Sequence, residues 1–263
     1  MYSQVGKQKT KNNMKIIGII GGSGLEDLTT LIKTVDENIK LKYFTENTKY
    51  GLTSPIAEFT IEDYHVYLVS RHGLNHEISP SDVNYLANIY FLHFVGCTEI
   101  ISITACGSLK EHINIGDMVF VNQFIDFTSG RINYIPDSKK VKHTAMAQPI
   151  DKSLMNKLID AAKELSGKHI STVVTIPGPR FSTVAESKMY RIWGADIINM
   201  TSSTEISLAN EFEIPIAVIA MVTDYDAWKE YGVHANWEDI KKIMRENTYK
   251  IIELLKKYLI IEI

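Results

Sequence analysis

The feature that most constrains the fold is a set of short, apolar, β-branched segments that recur along the chain with helical patterns between them. Several are apolar at every position instead of alternating with polar residues, which indicates strands buried on both faces. Such strands need a helical layer on each side of their sheet, so the sequence predicts an α/β fold. The predicted strands span residues 16–20, 65–69, 100–104, 118–121, 172–176, 197–200 and 216–222.

Capping residues locate the helices between these strands. Ser79 followed by Pro80 predicts a helix that begins there and ends near Gly96. Thr183 and Glu186 have the spacing of a capping box. The predicted N-caps are Ser79, Asp151, Thr183 and Asn236, and Gly167 is predicted to follow the end of the helix that Asp151 opens.

The chain has the length and composition of one domain. Its 263 residues, 45% of them hydrophobic, suffice for one large core, and no repeat or linker divides them. Residues 1–13 are polar and carry several lysines, so we predict an extension outside the fold and a single domain over residues 14–263.

Charge and hydropathy exclude several classes of partner. The chain carries 28 basic and 31 acidic residues, so it lacks the cationic field that would hold nucleic acid or an anionic membrane. No apolar run approaches the roughly 20 residues of a membrane span, and Cys97 and Cys106 match no zinc or redox spacing. These properties predict a cytosolic protein with a small-molecule ligand.

Polar clusters follow several of the predicted strands, where ligands bind in α/β sheets. After the first strand, Gly21-Gly22-Ser23-Gly24 would let backbone N–H groups approach an anion, although a plain tight turn explains it equally well. The segment Thr104-Ala105-Cys106-Gly107-Ser108 combines hydroxyls with small side chains, which leaves room for a ligand or for close backbone packing.

Arg71 and His72 follow the second predicted strand. A guanidinium suits phosphate oxygens and the adjacent imidazole can add a donor, while an ordinary ion pair remains the alternative for Arg71. His72 and His76 also have a spacing found in zinc sites, but the glutamate of the HExxH motif is missing and Gly73 disfavours a helix there. We therefore reject a zinc site at this position.

The segment Thr223-Asp224-Tyr225-Asp226 is the most informative cluster. It ends an apolar strand, and strand alternation places both carboxylates on one face, where burial without partners would be costly. A purine offers such partners through its N6 amine and its protonated N7. An acidic loop that caps a helix or binds a metal remains the alternative.

Together and in this order, the clusters resemble those of the 5'-methylthioadenosine phosphorylase branch of the trimeric purine nucleoside phosphorylases. The resemblance runs from about residue 16 to the end of the chain. Its further motifs are Asn122-Gln123-Phe124-Ile125-Asp126, Gly178-Pro179-Arg180-Phe181-Ser182, Asn199-Met200-Thr201 and Ala227-Trp228. The resemblance implies a single-domain mixed β-sheet flanked by helices, and a homotrimer with its sites near the subunit boundaries.

The resemblance also implies roles for individual residues. Asp224, Asp226 and His72 would act in catalysis, with Asp224 donating a proton to N7 and Asp226 recognising the N6 amine. Phosphate, a co-substrate, would be bound by Ser23, Arg71, His72, Thr104, Ala105 and Thr201. The nucleoside would be bound by Phe181, Ser182, Met200, Thr223, Asp224, Asp226, His143 and Trp237. No metal or organic cofactor is implied.

The activity that the resemblance implies is phosphorolysis of S-methyl-5'-thioadenosine, with adenosine as a candidate second substrate. The products would be adenine and 5-methylthioribose 1-phosphate, in purine and methionine salvage. A phosphorylase of 6-oxopurine nucleosides or of methylthioinosine is the alternative, but two aspartates favour adenine because a 6-oxo group would present an acceptor to ionised Asp226. A hydrolytic nucleosidase, a nucleoside-binding module and a dinucleotide oxidoreductase are more remote alternatives.

Three positions depart from the family pattern. Pro177 replaces a glutamate, Thr204 replaces a proline, and Trp237 replaces an aliphatic residue in the element that covers the 5' substituent. Trp237 therefore leaves the preferred 5' group open.

Overall fold

The computed structural model describes residues 14–22, 39–136, 140–165, 167–229 and 237–261. The predicted extension at residues 1–13, Ser23 and the predicted cap Asn236 lie outside the described residues. For Trp237 the backbone alone is described.

Strands and helices alternate along most of the described chain. The strands are β1 (Lys15–Gly21), β2 (Lys42–Phe44), β3 (Asn47–Thr48), β4 (Gly51–Leu52), β5 (Ile56–Ile61), β6 (Tyr64–Ser70), β7 (Glu99–Ser108), β8 (Met118–Asp126), β9 (Lys168–Thr175), β10 (Ile197–Asn199) and β11 (Ile216–Tyr225). The helices are α1 (Tyr85–Phe94), α2 (Lys152–Ala161), α3 (Val184–Ile192), α4 (Ser202–Glu211) and α5 (Trp237–Ile261). Every predicted strand is found, in β1 and in β6 to β11. The sequence pattern misses β2 to β5, most of which are too short to carry an apolar run.

Most of the strands form one mixed sheet in the order β10-β9-β8-β11-β7-β1-β6-β5-β2. β6, β1, β7 and β11 run parallel, whereas β8 is antiparallel to β11. β10 also pairs with the end of β7, with Ile197 opposite Ser108 and Ile198 opposite Gly107. The sheet therefore curls until β10 meets β7, which brings the ends of β7, β10 and β11 together.

The core lies between this sheet and two pairs of helices. Nearly every residue of β7 and β11 is buried, as expected for strands covered on both faces. α1 packs against α4, and α2 packs against α5. α4 also contacts β7, β8, β9 and β11, while α2 and α5 contact β11. The predicted fold class, a mixed sheet flanked by helices, is therefore confirmed.

α1 begins later than the sequence predicts. Its N-cap is Asn84, whose side-chain oxygen accepts a hydrogen bond from the N–H of Ala87 at 3.1 Å. The Ser79 hydroxyl instead donates to Asp82 at 2.6 Å, in a turn that precedes the helix. The predicted start at Ser79 is therefore wrong, because this residue stabilises the turn and not the helix. The predicted end near Gly96, which has a φ of 83°, is confirmed.

The predicted caps of α2 and α3 are confirmed. Asp151 accepts a hydrogen bond from the N–H of Leu154 at 2.8 Å, and Thr183 and Glu186 make both bonds of the capping box. Gly167 does not follow the end of α2 directly, because the helix already stops at Ala161. Gly167 has a φ of 65°, and a Cβ there would clash with the carboxylate of Asp117.

Candidate active site

A cavity of about 340 Å³ opens where the ends of β7, β10 and β11 meet. This volume is typical of a small-molecule site. The curl of the sheet supplies the floor, the segment after β9 supplies one side, and α5 supplies another. The cavity is lined by His72, Pro80, Thr104, Ala105, Cys106, Gly107, Ile176, Pro179, Phe181, Ser182, Ile198, Asn199, Met200, Thr201, Thr223, Asp224, Asp226, Ile240 and Met244.

The structure brings most of the predicted site residues into this one cavity. Those that line it are His72, Thr104, Ala105, Phe181, Ser182, Met200, Thr201, Thr223, Asp224 and Asp226. Arg71 lies directly behind the lining, where it contacts Thr201. His143 is not among the residues that line the cavity. Ser23 and the side chain of Trp237 are outside the described part of the structure.

Asp224 and Asp226 form the acidic end of the cavity. The register of β11 on β7 shifts between Val222 and Asp224, so Thr223 forms a bulge of the kind that re-aims side chains at sites. Gly107 lies opposite Asp224, and a Cβ there would approach a carboxylate oxygen of Asp224 to 3.2 Å. The glycine therefore provides the space that the Asp224 carboxylate occupies.

Burial changes the acidity of both carboxyls. It raises the pKa of Asp224 from its ordinary 3.8 to about 6, against the hydrogen bond that Thr223 donates at 2.8 Å, and the charge of Asp226 adds to the rise. Burial also raises the pKa of Asp226, opposed by the hydroxyls of Ser187 and Ser182. Oδ2 of Asp226 is buried without a hydrogen-bond partner among the described residues. The two carboxyls can therefore provide one protonated group that donates a hydrogen bond and one group that accepts a hydrogen bond.

Hydroxyl groups and a helix N-terminus form the opposite end of the cavity. Thr201 is the N-cap residue of α4, and its side chain makes no capping bond. Asn199 donates to the hydroxyl of Ser202 at 2.5 Å and to Thr104 at 3.4 Å, which fixes the turn into the helix. The partial positive charge of a helix N-terminus, together with hydroxyl donors, favours an anion here.

Arg71 supports this end from behind. Its guanidinium is fully buried, donates to Oγ1 of Thr201 at 2.9 Å, and pairs through Nε with Glu205 at 2.8 Å. Ser102 donates to the other oxygen of Glu205 at 2.6 Å. Because Oγ1 of Thr201 accepts a bond from Arg71, its own proton points elsewhere and is available to a ligand. The ion-pair alternative for Arg71 is thus realised, although in the interior and not on the surface.

His72 contributes a ring nitrogen next to the hydroxyl groups. Its Nδ1 lies 2.9 Å from the carbonyl oxygen of Ile78, which can only accept, so the proton is on Nδ1. Nε2 can then accept a proton from a ligand, or donate once the ring is protonated.

His143 does not line the cavity of its own chain. The neighbouring Lys142 donates to the carbonyl oxygen of Glu211 at 2.9 Å, at the C-terminal end of α4. The cavity lies at the N-terminal end of the same helix, about 15 Å away for ten residues. The side chain of His143 is exposed.

Several functional positions are missed by the sequence analysis. Ile240 and Met244 line the cavity from α5, and their spacing of four residues is the signal that could have placed them on one helix face. Asn199 lies in one of the motifs that carry the resemblance, but the sequence predicts no role for it. Arg131, in the segment after β8, contacts the cavity wall and carries no sequence signal.

The described residues offer neither a metal cluster nor a membrane-spanning helix. No group of three or more His, Cys, Asp or Glu side chains in these residues is arranged to hold a metal ion. None of the helices there has the length and apolar character to cross a membrane.

The fold and the cavity place the chain in a known class: it belongs to the Phosphorylase superfamily, whose family model matches residues 16–260. Within that class it is similar to S-methyl-5'-thioadenosine phosphorylases. The protein from Ciona intestinalis is 42% identical over 91% of this chain and 86% of its own length. That from Xenopus tropicalis is 43% identical, with 91% and 86% covered.

A solved structure gives the same result. Methylthioadenosine phosphorylase from Schistosoma mansoni in complex with adenine aligns with a TM-score of 0.85 and 36% identity, over 93% of this chain and 91% of that one. A Schistosoma mansoni variant in complex with methylthioadenosine aligns with a TM-score of 0.82 over 93% and 90% of the two chains, at 36% identity. The resemblance found in the sequence is therefore confirmed.

Proposed function

We propose that this chain catalyses phosphorolysis of S-methyl-5'-thioadenosine to adenine and 5-methylthioribose 1-phosphate, with adenosine as a second substrate. It would act as a pentosyltransferase of the purine nucleoside phosphorylase type, in purine and methionine salvage. One observation carries the proposal: a buried aspartate pair and an anion-binding end occupy the same cavity. A single nucleoside can then meet an acid at its base and phosphate at its sugar.

The acidic end is suited to an aminopurine. Asp224, whose raised pKa of about 6 leaves roughly one-tenth protonated at pH 7, would hydrogen-bond or protonate N7. The buried Oδ2 of Asp226 would accept a bond from the N6 amine. A 6-oxopurine would instead present a carbonyl oxygen to this carboxylate, so two acceptors would face each other.

The other end is suited to phosphate. The hydroxyls of Thr104 and Thr201, the N-terminus of α4 and His72 would hold the anion, with Ala105 and Ser23 in the same proposed set. Arg71 would act on phosphate at least through Thr201, whose hydroxyl it orients.

The reaction then follows from the two ends. A phosphate oxygen forms a bond to C1' as the bond from C1' to N9 breaks, and that electron pair passes to the purine. The proton of Asp224 moves to N7, so the base does not leave as an anion. The negative charge of phosphate stabilises the developing positive charge on the sugar, above Met200. The scheme uses no metal or organic cofactor.

We also propose a cytoplasmic homotrimer. Exposed apolar side chains at Phe127, Ile192 and Trp193 offer surface for contact between subunits. His143 lies at the far end of α4 from its own cavity, which supports a role for it at the site of a neighbouring subunit. The balanced charge and the two buried cysteine thiols are compatible with the cytoplasm.

A substrate panel assayed with and without phosphate tests the proposal. We expect base release from methylthioadenosine and adenosine that requires phosphate, and much slower release from inosine and methylthioinosine. Release that is indifferent to phosphate would identify a hydrolase instead. A preference for inosine or methylthioinosine would favour the 6-oxopurine alternative, and binding without base release would indicate a nucleoside-binding protein.

A further inference from the structure

Arg131 joins two walls of the cavity without lining it. It lies in the segment after β8, and its guanidinium donates from Nη1 to the carbonyl oxygen of Met200 at 2.7 Å. Nη2 donates to the carbonyl oxygen of Pro177 at 2.8 Å. The two acceptors belong to different parts of the chain, one at the end of β10 and one after β9.

The partners of Arg131 differ from those of Arg71 and Arg180. Arg71 pairs with Glu205 and Arg180 pairs with Glu186, but Arg131 has no carboxylate partner among the described residues. Its face lies over the ring of Tyr85 at 5.1 Å, and its Nε is buried without a hydrogen bond. The buried carboxyl of Glu205 is near enough to interact with its charge but does not bond it, so the direct partners of the fork are the two carbonyl oxygens.

The two carbonyl groups that it holds belong to segments whose side chains line the cavity. Met200 lines the cavity directly before Thr201 of the anion-binding end, and we call this position the sugar wall. Pro177 begins the segment that carries Phe181 and Ser182 into the cavity, and its carbonyl oxygen also accepts a bond from Ser81 at 3.1 Å. β9 and β10 are paired up to this point, because the N–H of Ile176 donates to the carbonyl oxygen of Asn199 at 2.9 Å. Arg131 joins the next carbonyl of each segment, so its planar fork holds the base wall (residues 177–182) against the sugar wall where the strand pairing ends.

We propose that Arg131 is a positioning residue that fixes the base wall at Pro177 relative to the sugar wall at Met200. The inference rests on the proposed phosphorolysis, because the distance between these walls decides whether a nucleoside can place C1' within reach of phosphate. The planar fork is the required feature. A positive charge alone does not replace it, because an ammonium group cannot reach both carbonyl oxygens in the same geometry.

Two variants of the full chain separate geometry from charge. Arg131→Lys keeps the charge and removes the fork, and Arg131→Met removes both. We expect KM for methylthioadenosine to rise about tenfold or more in both, since each loses charge-assisted hydrogen bonds. KM for phosphate should stay within about twofold of the unmodified chain, because Arg131 donates no hydrogen bond to the side chains of the anion-binding end. Arg245→Met, at an exposed position on α5, is the matched control and should change neither constant.

Several outcomes would overturn the inference. A lysine variant with an unchanged KM for methylthioadenosine would mean that charge suffices, and an equal rise in both KM values would mean a general loss of structure. If Arg131→Met does not fold in a thermal unfolding assay, Arg131→Lys decides the matter alone.

Failure of the proposed function is distinguishable from failure of the inference. An unmodified chain that does not cleave methylthioadenosine in phosphate refutes the function. In that case adenine affinity, measured by calorimetry, decides the positioning role: a tenfold weakening in both variants supports it, and an unchanged affinity overturns it.

Discussion

Replacing Asp224 by asparagine should stabilise the protein while removing most of its activity. Burial raises the pKa of this carboxyl from 3.8 to about 6, so the ionised group is less stable in the folded chain than in the unfolded chain. A difference of about two pKa units corresponds to a penalty of up to about 3 kcal/mol at pH 7. The asparagine side chain would carry no charge, and the Thr223 hydroxyl could still donate to its amide oxygen.

The penalty has a defined pH dependence. Between about pH 4 and pH 6 the folded chain binds a proton that the unfolded chain has lost, so the stability of the unmodified protein falls as pH rises through this window. Below pH 4 the carboxyl is protonated in both states and the penalty disappears. The stability advantage of Asp224→Asn should therefore be full at pH 7 and above, and should vanish towards pH 4.

Chemical denaturation at several pH values and adenine release in phosphate measure the two effects. We expect turnover of methylthioadenosine to fall about 100-fold or more, as for loss of a general acid. Asp151→Asn is the control: it removes a carboxylate at the N-cap of α2, where the Asp151 N–H donates to Ile216 at the other end of β11 from Asp224. Asparagine also caps helices, so stability should change by less than about 1 kcal/mol at every pH and turnover should be unchanged. A stability difference that does not narrow in acid would refute the burial argument, and undiminished turnover would refute the acid role.

Three further changes test other parts of the site. Gly107→Ala would bring a Cβ within 3.2 Å of a carboxylate oxygen of Asp224, so adenine affinity measured by calorimetry should fall about tenfold; an unchanged affinity would show that the base does not use this space. Glu205→Gln leaves Arg71 buried without its carboxylate, so the free energy of unfolding should drop by about 3–5 kcal/mol and KM for phosphate should rise; a KM that changes only for the nucleoside would contradict this. Glu186→Gln weakens the pairing with Arg180 and the capping box, so the free energy of unfolding should fall by about 1 kcal/mol at neutral pH. Arg180 lowers the pKa of Glu186 to about 2, so this difference from the unmodified chain should shrink as the pH falls towards 2; a difference that stays constant in acid would show that the ionised carboxylate is not its cause.

Much of the fold and of the site could be predicted from local sequence. A strand covered on both faces must be apolar at nearly every position, so segments such as residues 216–222 can be recognised as strands from the sequence alone. Glycines, small residues and paired carboxylates that follow such strands are also local signals. They predict the two ends of the cavity because parallel strands present the same ends to one edge of a sheet.

Features that depend on distant partners could not be predicted. The short strands β2 to β4 have too few residues for a pattern. The sequence predicts the start of α1 too early, because Ser79 bonds to Asp82 instead of capping the helix. The buried ion pair between Arg71 and Glu205 could not be predicted either, since the two residues lie far apart in sequence and neither one indicates its partner.

The sequence by itself determined which segments become strands and which polar groups stand at their ends, because both follow from residue type and nearest neighbours. Only the tertiary structure decided that β10 closes onto β7, and that Arg71 orients Thr201 from behind while Arg131 joins Met200 to Pro177. The physical reason is that burial and hydrogen bonding are satisfied by whichever groups the completed fold brings together, and the chain order does not specify them.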